Sequence, residues 1–264
     1  MPFVNAPGAR IYWTRDGLDD APCVVLLNSI GTDMDLWADV LPYLREYFTL
    51  LRIDTRGHGA SSIEAGDASM ARLAEDVLLV ADVAGISRFA VVGVSLGGMI
   101  GMELALRSAD RVEAAVLVCT SATMDSAAWA DRVAKVRREG VQSIADLAIG
   151  RFFSPVAEPA IVDTVRRKLL AMDSEGYAAA GAAIRDMDLA GRIGKIRCPT
   201  LVISGSRDSS TPHEGHGDYL VRTIPGASSR LIEAAHLAPL EAPEALAAAL
   251  LEFLEPGTNC RLAN

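Results

Sequence analysis

The stretch that most constrains this chain runs over residues 89–107, FAVVGVSLGGMIGMELALR. A β-rich apolar run turns on glycines into an amphipathic helix, and the turn reads Gly93, Val94, Ser95, Leu96, Gly97, the pattern G-x-S-x-G. In that pattern the serine sits at a strained strand-to-helix turn. The positions two before and two after it must be small, because any side chain there would meet neighbouring backbone. The turn holds the Ser95 hydroxyl in the open. The helix that follows aims free N-terminal amides, that of Leu96 among them, at the place where negative charge would develop on an attacked carbonyl. The bare pattern is common by chance. The strand before it and the periodic apolar helix after it are the context that gives it weight.

Around this stretch the chain alternates between the two periods. Residues 9–14 alternate into a first strand, with Asp16-Gly17 as the expected turn, and residues 23–27, CVVLL, form the continuous apolar run of a strand covered on both faces. That run ends on Asn28, Ser29, Ile30, Gly31, a polar loop ahead of a helix expected over 35–44. The loop is placed to supply a second backbone donor, the amide of Ile30, to the same developing charge as Leu96. Strands follow at 48–53 and 112–119, with an amphipathic helix over 69–84 that has Ser69 as N-cap and Gly85 at its end. Strand and helix in this order give an α/β fold with a parallel sheet and right-handed crossovers.

From Ser121 to about Lys195 the rhythm changes to helical patterns without a strand: 126–138, 141–152, 158–172 and 174–186. A helical block inserted into an alternating pattern reads as a cap over the carboxyl ends of the strands, where ligands bind in open α/β sheets. The expected division is a core of 1–120 and 196–264 with a cap of 121–195. Strands resume at 200–204 and 229–232 with a helix over 214–223 between them, a helix over 243–254 closes the fold, and 256–264 is expected to be a loose tail.

At 264 residues, half of them hydrophobic and 22% charged, the chain can bury one large core. The net charge of −9 argues against nucleic acid as a partner, and an anionic substrate would need a local cation to overcome the global field. Cys23, Cys119, Cys198 and Cys260 are scattered without a C-x-x-C, which reads as free thiols in a reducing compartment. No signal-like N-terminus and no run of about 18 apolar residues occurs, so a cytoplasmic protein without membrane contact is expected.

Ser95, Asp208 and His236 each fall just past the carboxyl end of an expected strand. A neutral hydroxyl is a poor nucleophile. His236 would take its proton and Asp208 would fix and stabilise the imidazole. His58, between two glycines after a strand, reads as a turn residue. His213 and His216 could in principle hold a metal by their H-x-x-H spacing, but no third ligand stands out and a solvated helix start is the better reading. Trp129 and Arg132 are three apart on one helix and share a face, which suits a small ring bearing a carboxylate. It suits equally a Trp packed on the core beside a solvated Arg.

Over its whole length the chain resembles the α/β-hydrolases, and within them the 3-oxoadipate enol-lactonases. The stretches that carry the resemblance are NSIGTDMDLW (28–37), LLRIDTRGHGASS (50–62), GVSLGGMIG (93–101), WADRVAKVRREGV (129–141), LVISGSRD (201–208) and AAHLAPLE (234–241). Asn28-Ser29, where most such hydrolases have His-Gly, is the more discriminating match. The resemblance implies a mostly parallel central sheet flanked by helices, with a helical cap inserted after the sixth strand. It implies a triad of Ser95, Asp208 and His236, oxyanion amides on Ile30 and Leu96, and a substrate pocket lined by Trp129 and Arg132. It implies no cofactor or metal, and a small anionic lactone as substrate. The expected rivals are a carbon–carbon hydrolase of meta-cleavage products, a broad carboxylesterase, and a small-molecule sensor that keeps the fold. The intact Ser, Asp and His count against the sensor.

Overall fold

The computed structural model describes residues 3–254. In chain order these form β1 (Phe3–Ala6), β2 (Ala9–Gly17), β3 (Cys23–Leu27), α1 (Leu41–Leu44), β4 (Thr49–Ile53), α2 (Met70–Val83), β5 (Phe89–Val94), α3 (Leu96–Arg107) and β6 (Val112–Val118). Then come α4 (Ser126–Glu139), α5 (Ala145–Phe152), α6 (Pro159–Ala171) and α7 (Ser174–Arg185). The chain continues through β7 (Thr200–Gly205), α8 (Asp218–Thr223), β8 (Ser228–Ile232), α9 (Ala238–Glu241) and α10 (Pro243–Leu254). The expected tail and Cys260 lie outside the described residues. Cys23 and Cys119 are buried free thiols and Cys198 is half-buried.

One 8-stranded sheet has the order β1-β2-β4-β3-β5-β6-β7-β8. From β4 to β8 every pairing is parallel, and β1 and β2 join antiparallel at one edge. The parallel strands at the centre, β3, β5 and β7, are buried at every residue, as apolar runs covered on both faces must be. Beside them α2 starts on the Ser69 hydroxyl, which accepts from the Arg72 amide at 3.2 Å, and stops before Gly85 at φ 74°. None of the described helices is long and apolar enough to cross a membrane.

Four local expectations are revised. The edge strand β1 has no counterpart in the sequence reading, and with it β6 becomes the sixth strand. β2 runs through Asp16-Gly17 instead of turning there, because these residues pair with Leu50 and Thr49 of β4. The helix expected over 35–44 is a 3-10 turn at Met34–Trp37 followed by the short α1, which begins around Pro42, whose ring nitrogen has no hydrogen to continue an earlier helix. The helix expected over 214–223 is broken at Gly215, φ 85°, so that regular helix begins only at Asp218.

Between β6 and β7 the chain is helical. This segment meets the rest where two glycine backbones touch. A Cβ on Gly176 of α7 would lie 2.1 Å from the Gly57 carbonyl oxygen, and one on Gly57 would lie 2.4 Å from the Gly176 Cα. Gly57 belongs to the turn after β4, which is pinned to α2 by a buried two-pronged ion pair, Arg56 Nε and Nη2 each 2.6 Å from a carboxylate oxygen of Asp76. Breaking such a pair by removing one partner costs about 3–5 kcal/mol, since the other charge is left buried alone.

These contacts give two glycines of the helical segment opposite expectations. Gly176→Ala gains up to about 1 kcal/mol of helix propensity but must push backbone apart, at a cost of about 1–3 kcal/mol, so its Tm should fall. Gly150, exposed in α5 with nothing within 4 Å of an added Cβ, should accept Ala with an unchanged or raised Tm. A thermal melt of the two variants reads both signs.

Candidate active site

The site assembles at the carboxyl ends of β3, β5, β7 and β8. Ser95 follows β5 directly with φ 55° and ψ −114°, one of only two non-glycine residues at positive φ among the described residues. Its amide donates to the Val118 carbonyl at 2.9 Å, and its own carbonyl accepts from the Thr120 hydroxyl at 2.6 Å. Both glycines of the turn are required by contact. A Cβ on Gly93 would sit 2.2 Å from the Gly97 carbonyl, and one on Gly97 would sit 2.4 Å from the Leu27 carbonyl oxygen. The helix start is thereby pressed onto the end of β3, and the loop after β3 is brought beside the serine.

His236 is positioned by the same device on the other side. Gly205, the last residue of β7, lets the loop after β8 cross it, since a Cβ there would lie 2.5 and 2.6 Å from the carbonyl oxygens of Ala234 and Ala235. The crossing sets His236 Nδ1 at 3.0 and 3.1 Å from the two carboxylate oxygens of Asp208. A carboxylate only accepts, so the Nδ1 hydrogen points to Asp208, which leaves Nε2 as the acceptor in the neutral tautomer of the imidazole. Phe152 stacks on the imidazole, with ring centroids 6.0 Å apart and planes 10° from parallel. Asp208 also accepts from the amides of Ser210 and Thr211, at 2.8 and 3.1 Å, and from the Thr211 hydroxyl at 2.8 Å. Burial pushes its pKa up, but the hydrogen bond and charge of His236 and the Thr211 donors outweigh it and hold the carboxyl down at about 2.

Ser95 and His236 line one cavity together with Ile30, Trp129, Arg132 and Arg151. Among the described residues no hydrogen bond joins the Ser95 hydroxyl to His236. Such bonds are commonly loose before substrate arrives. The amides of Ile30 and Leu96 donate to no group among the described residues; Ile30 lines the cavity, and Leu96 is the first residue of α3, directly after Ser95. Arg132 lies with its guanidinium carbon 4.5 Å from the Trp129 ring centroid, and no carboxylate pairs with it among the described residues. The cavity therefore holds a serine, a histidine backed by a carboxylate, the Ile30 residue with its free amide and an aromatic wall carrying a cation, with the free amide of Leu96 next in chain to the serine. Such a set of groups can attack a carbonyl.

The Asn28 side chain, whose position carries much of the resemblance, is buried. It donates to the Ile53 carbonyl at 2.9 Å and accepts from the Trp37 indole at 3.0 Å, which fixes the start of the loop bearing Ile30. Asp54 holds the same loop through the Met34 amide at 2.8 Å, and burial raises its carboxyl to about 6. The three other histidines stand apart. His58 is a buried turn residue whose Nδ1 meets the Arg56 carbonyl at 3.1 Å and whose pKa burial lowers to about 4. His213 is held by the Ser204 hydroxyl at 3.0 Å and His216 by that of Ser121 at 2.8 Å.

Two contributors escape the sequence reading. Thr211 could have been found, since an Asp followed by small hydroxyl residues is a signal for side-chain to backbone turn bonds. Arg151 carries no local signal. It is an ordinary arginine near the end of α5 that the packing of α5 beside the serine brings to the cavity.

Because the folded pKa of Asp208 is depressed, its charge stabilises the protein fully above its ordinary value near 3.8. That contribution is lost as pH falls through about 2. A shift of this size corresponds to roughly 2 kcal/mol. Urea unfolding of the wild type should therefore lose stability relative to Asp208→Asn between about pH 4 and pH 2, and parallel pH curves for the two proteins would contradict the placement of this charge.

Residues 22–177 match the family model of the alpha/beta hydrolase fold. The curated protein 3-oxoadipate enol-lactonase 2 of Acinetobacter baylyi is 32% identical over 246 residues, 92% of this chain and 92% of that protein. A solved enol-lactonase from Burkholderia xenovorans superposes with a TM-score of 0.92 at 35% identity, covering 96% of this chain and 99% of its own. A solved hydrolase from Pseudomonas aeruginosa gives a TM-score of 0.92 at 39% identity, covering 96% and 98%. On its parallel sheet, its strained serine turn and these similarities, the chain belongs to the α/β-hydrolase fold family and resembles the enol-lactonases within it.

Proposed function

We propose that the protein is a serine hydrolase that opens the enol-lactone of 3-oxoadipate, with Ser95, His236 and Asp208 as its triad. Ser95 attacks the ring carbonyl while His236 Nε2 takes the hydroxyl proton. The amides of Ile30 and Leu96 receive the charge that develops on the carbonyl oxygen. The carbon–oxygen bond of the ring breaks, the proton passes from His236 to the expelled enol oxygen, and the acyl chain stays on Ser95 with the enol at its far end. Water, its proton taken by His236, then releases the acid, and the enol tautomerises to the ketone. An enol leaves more readily than a simple alkoxide, so the chemistry asks little beyond a held nucleophile and a shielded site.

The observation that carries the substrate reading is the Arg132 guanidinium over Trp129 in the serine's own cavity, with no carboxylate paired to it among the described residues. A protein of net charge −9 that places an uncompensated cation at its reactive serine is built for an anion. The relatives described as enol-lactonases support the same choice over a neutral ester. We also read the helical segment 121–195 as a cap, because it supplies Trp129, Arg132 and Arg151 to a cavity whose floor comes from the sheet.

Rates on the enol-lactone, a meta-cleavage product and a neutral ester, measured side by side, test the reading, and a preference for either of the last two would overturn it. Ser95→Ala should fold as the wild type by circular dichroism and lose activity on every ester. Arg132→Ala should lower kcat/KM on the anionic lactone roughly ten- to over a hundred-fold, the equivalent of about 1.5–3 kcal/mol for a hydrogen bond to a charged group, and leave a neutral ester nearly unchanged. Lys at this position should restore only part of the loss, because an ammonium cannot make the two-pronged contact. Equal losses on both substrates would reduce Arg132 to a structural part of the cap.

A further inference from the structure

Glu241 closes α9 shortly after His236, and its carboxylate is held by amides from two separate parts of the chain. One oxygen, Oε2, accepts from the Ala235 amide at 3.0 Å, and the other, Oε1, accepts from the Ser154 amide at 2.6 Å. Ala235 is the residue before His236. Ser154 follows the end of α5, where the Phe152 ring stacks on the His236 imidazole. The residue after His236 is tied to the same place, since the Leu237 amide donates to the Phe152 carbonyl at 3.1 Å. The backbone of His236 is therefore fastened to the end of α5 on both sides, by a direct bond at Leu237 and through the Glu241 carboxylate at Ala235. The imidazole is steered separately. Asp208 receives the Nδ1 hydrogen and is fixed by donors from its own loop, the Ser210 and Thr211 amides and the Thr211 hydroxyl. Asp208 thus sets which way the ring faces, and the bonds at Ala235 and Leu237 set where it hangs. Because Ala148, Arg151 and Phe152 of α5 line the cavity of Ser95, the carboxylate joins a cavity wall to the loop that carries the histidine.

We propose that Glu241 is a positioning residue for the reaction: by bridging the Ala235 and Ser154 amides it holds the His236 imidazole within reach of Ser95 and makes that reach depend on the seat of α5. This rests on the reading of His236 as the base. The two amides need two acceptor oxygens, and at this side-chain length only a carboxylate supplies both. Glu241→Gln keeps the size and shape but turns an N–H group toward one of the amides, so one bond is lost and the loop is released on that side. A misplacement of about 1 Å in a group that must meet a nucleophile can lower a rate by about a hundredfold. With the Leu237 bond and the Asp208 contact still in place, the release is partial and the expected loss is smaller.

The test follows nitrophenyl acetate hydrolysis, well below the melting temperature, by wild type, Glu241→Gln, His236→Ala and the double variant. Glu241→Gln should keep the wild-type circular dichroism spectrum, lower kcat about tenfold and leave KM within about twofold. In the His236→Ala background the same substitution should change the remaining rate by less than about twofold, since a residue that acts through the imidazole then has nothing left to position. An unchanged kcat, a rise in KM alone, or a tenfold loss repeated without the histidine would make Glu241 a structural link only and overturn the proposal. Failure of Glu241→Gln to fold would do the same. Wild-type kcat in His236→Ala would overturn the base reading and this proposal with it. The enol-lactone reading fails separately, as inactivity of the wild type on that lactone, while nitrophenyl acetate still reports on Glu241.

Discussion

The backbone of Ser95 is held where a side chain is disfavoured, at φ 55°, and much of the site's geometry follows from what keeps it there. Gly93, Gly97 and Gly98 let α3 start in contact with β5, β3 and the Thr120 side chain respectively. A strain of about 1–3 kcal/mol at one residue persists only where its neighbours leave no alternative. Here those neighbours are the buried central strands, the least deformable part of the molecule. The Ser95 backbone is thereby fixed by the core itself. The loops that carry Ile30 and His236 then need only be set against a point that does not move.

On the proposed reading, chemistry and selectivity come from different parts of the chain. The sheet supplies the serine, the histidine, the aspartate and the two amides, and these would serve any ester. The helical segment between β6 and β7 supplies the charge, on Arg132 and Arg151, in a protein whose total is −9. In that field an exposed cation far from the site would be screened within about 8–10 Å and would do little for an anionic ligand. Two guanidiniums at the cavity act at close range, where the surrounding protein screens them less.

What was legible in the sequence divides along the same line. The serine turn is local, strand and helix and glycines within about twenty residues, and its strain and contacts follow from the residue types alone. Asp208 and His236 could be placed because each directly follows a strand pattern. The edge strand β1 is four residues, FVNA, with one buried position, too short and too polar to show a period. Helical pattern over 35–44 was overruled by Pro42. Arg151 reaches the cavity only through packing: nothing in its neighbours along the chain distinguishes it from any other helical arginine. The family resemblance reached Trp129 and Arg132 for the same reason that local reasoning left them open, since it carries three-dimensional information that spacing on one helix lacks.

The helical segment also packs on the loop after β3. Lys168 of α6 meets Asp33 at 2.9 Å and Asp35 at 2.5 Å, and Leu169 and Tyr177 pack against Gly31 so closely that a Cβ there would come within 2.9 Å of the leucine. On the inner side the same loop is held by Asn28 and Asp54. The Ile30 amide therefore sits between a rigid anchor on the core and a wall made by α6 and α7. The ion pairs of Lys168 are partly exposed and contribute about 1 kcal/mol or less each, whereas the apolar contact of the fully buried Leu169 on Gly31 is the stronger tie. On the proposed reading, a displacement of α7 that widens the cavity at Ile184 for a larger acyl group also loosens the Tyr177 contact on Gly31, the residue after the Ile30 amide. If the Ile30 amide stabilises charge as proposed, the size of what the cavity admits is coupled to that stabilisation, and accepting bulkier substrates by loosening α7 would come at the expense of turnover.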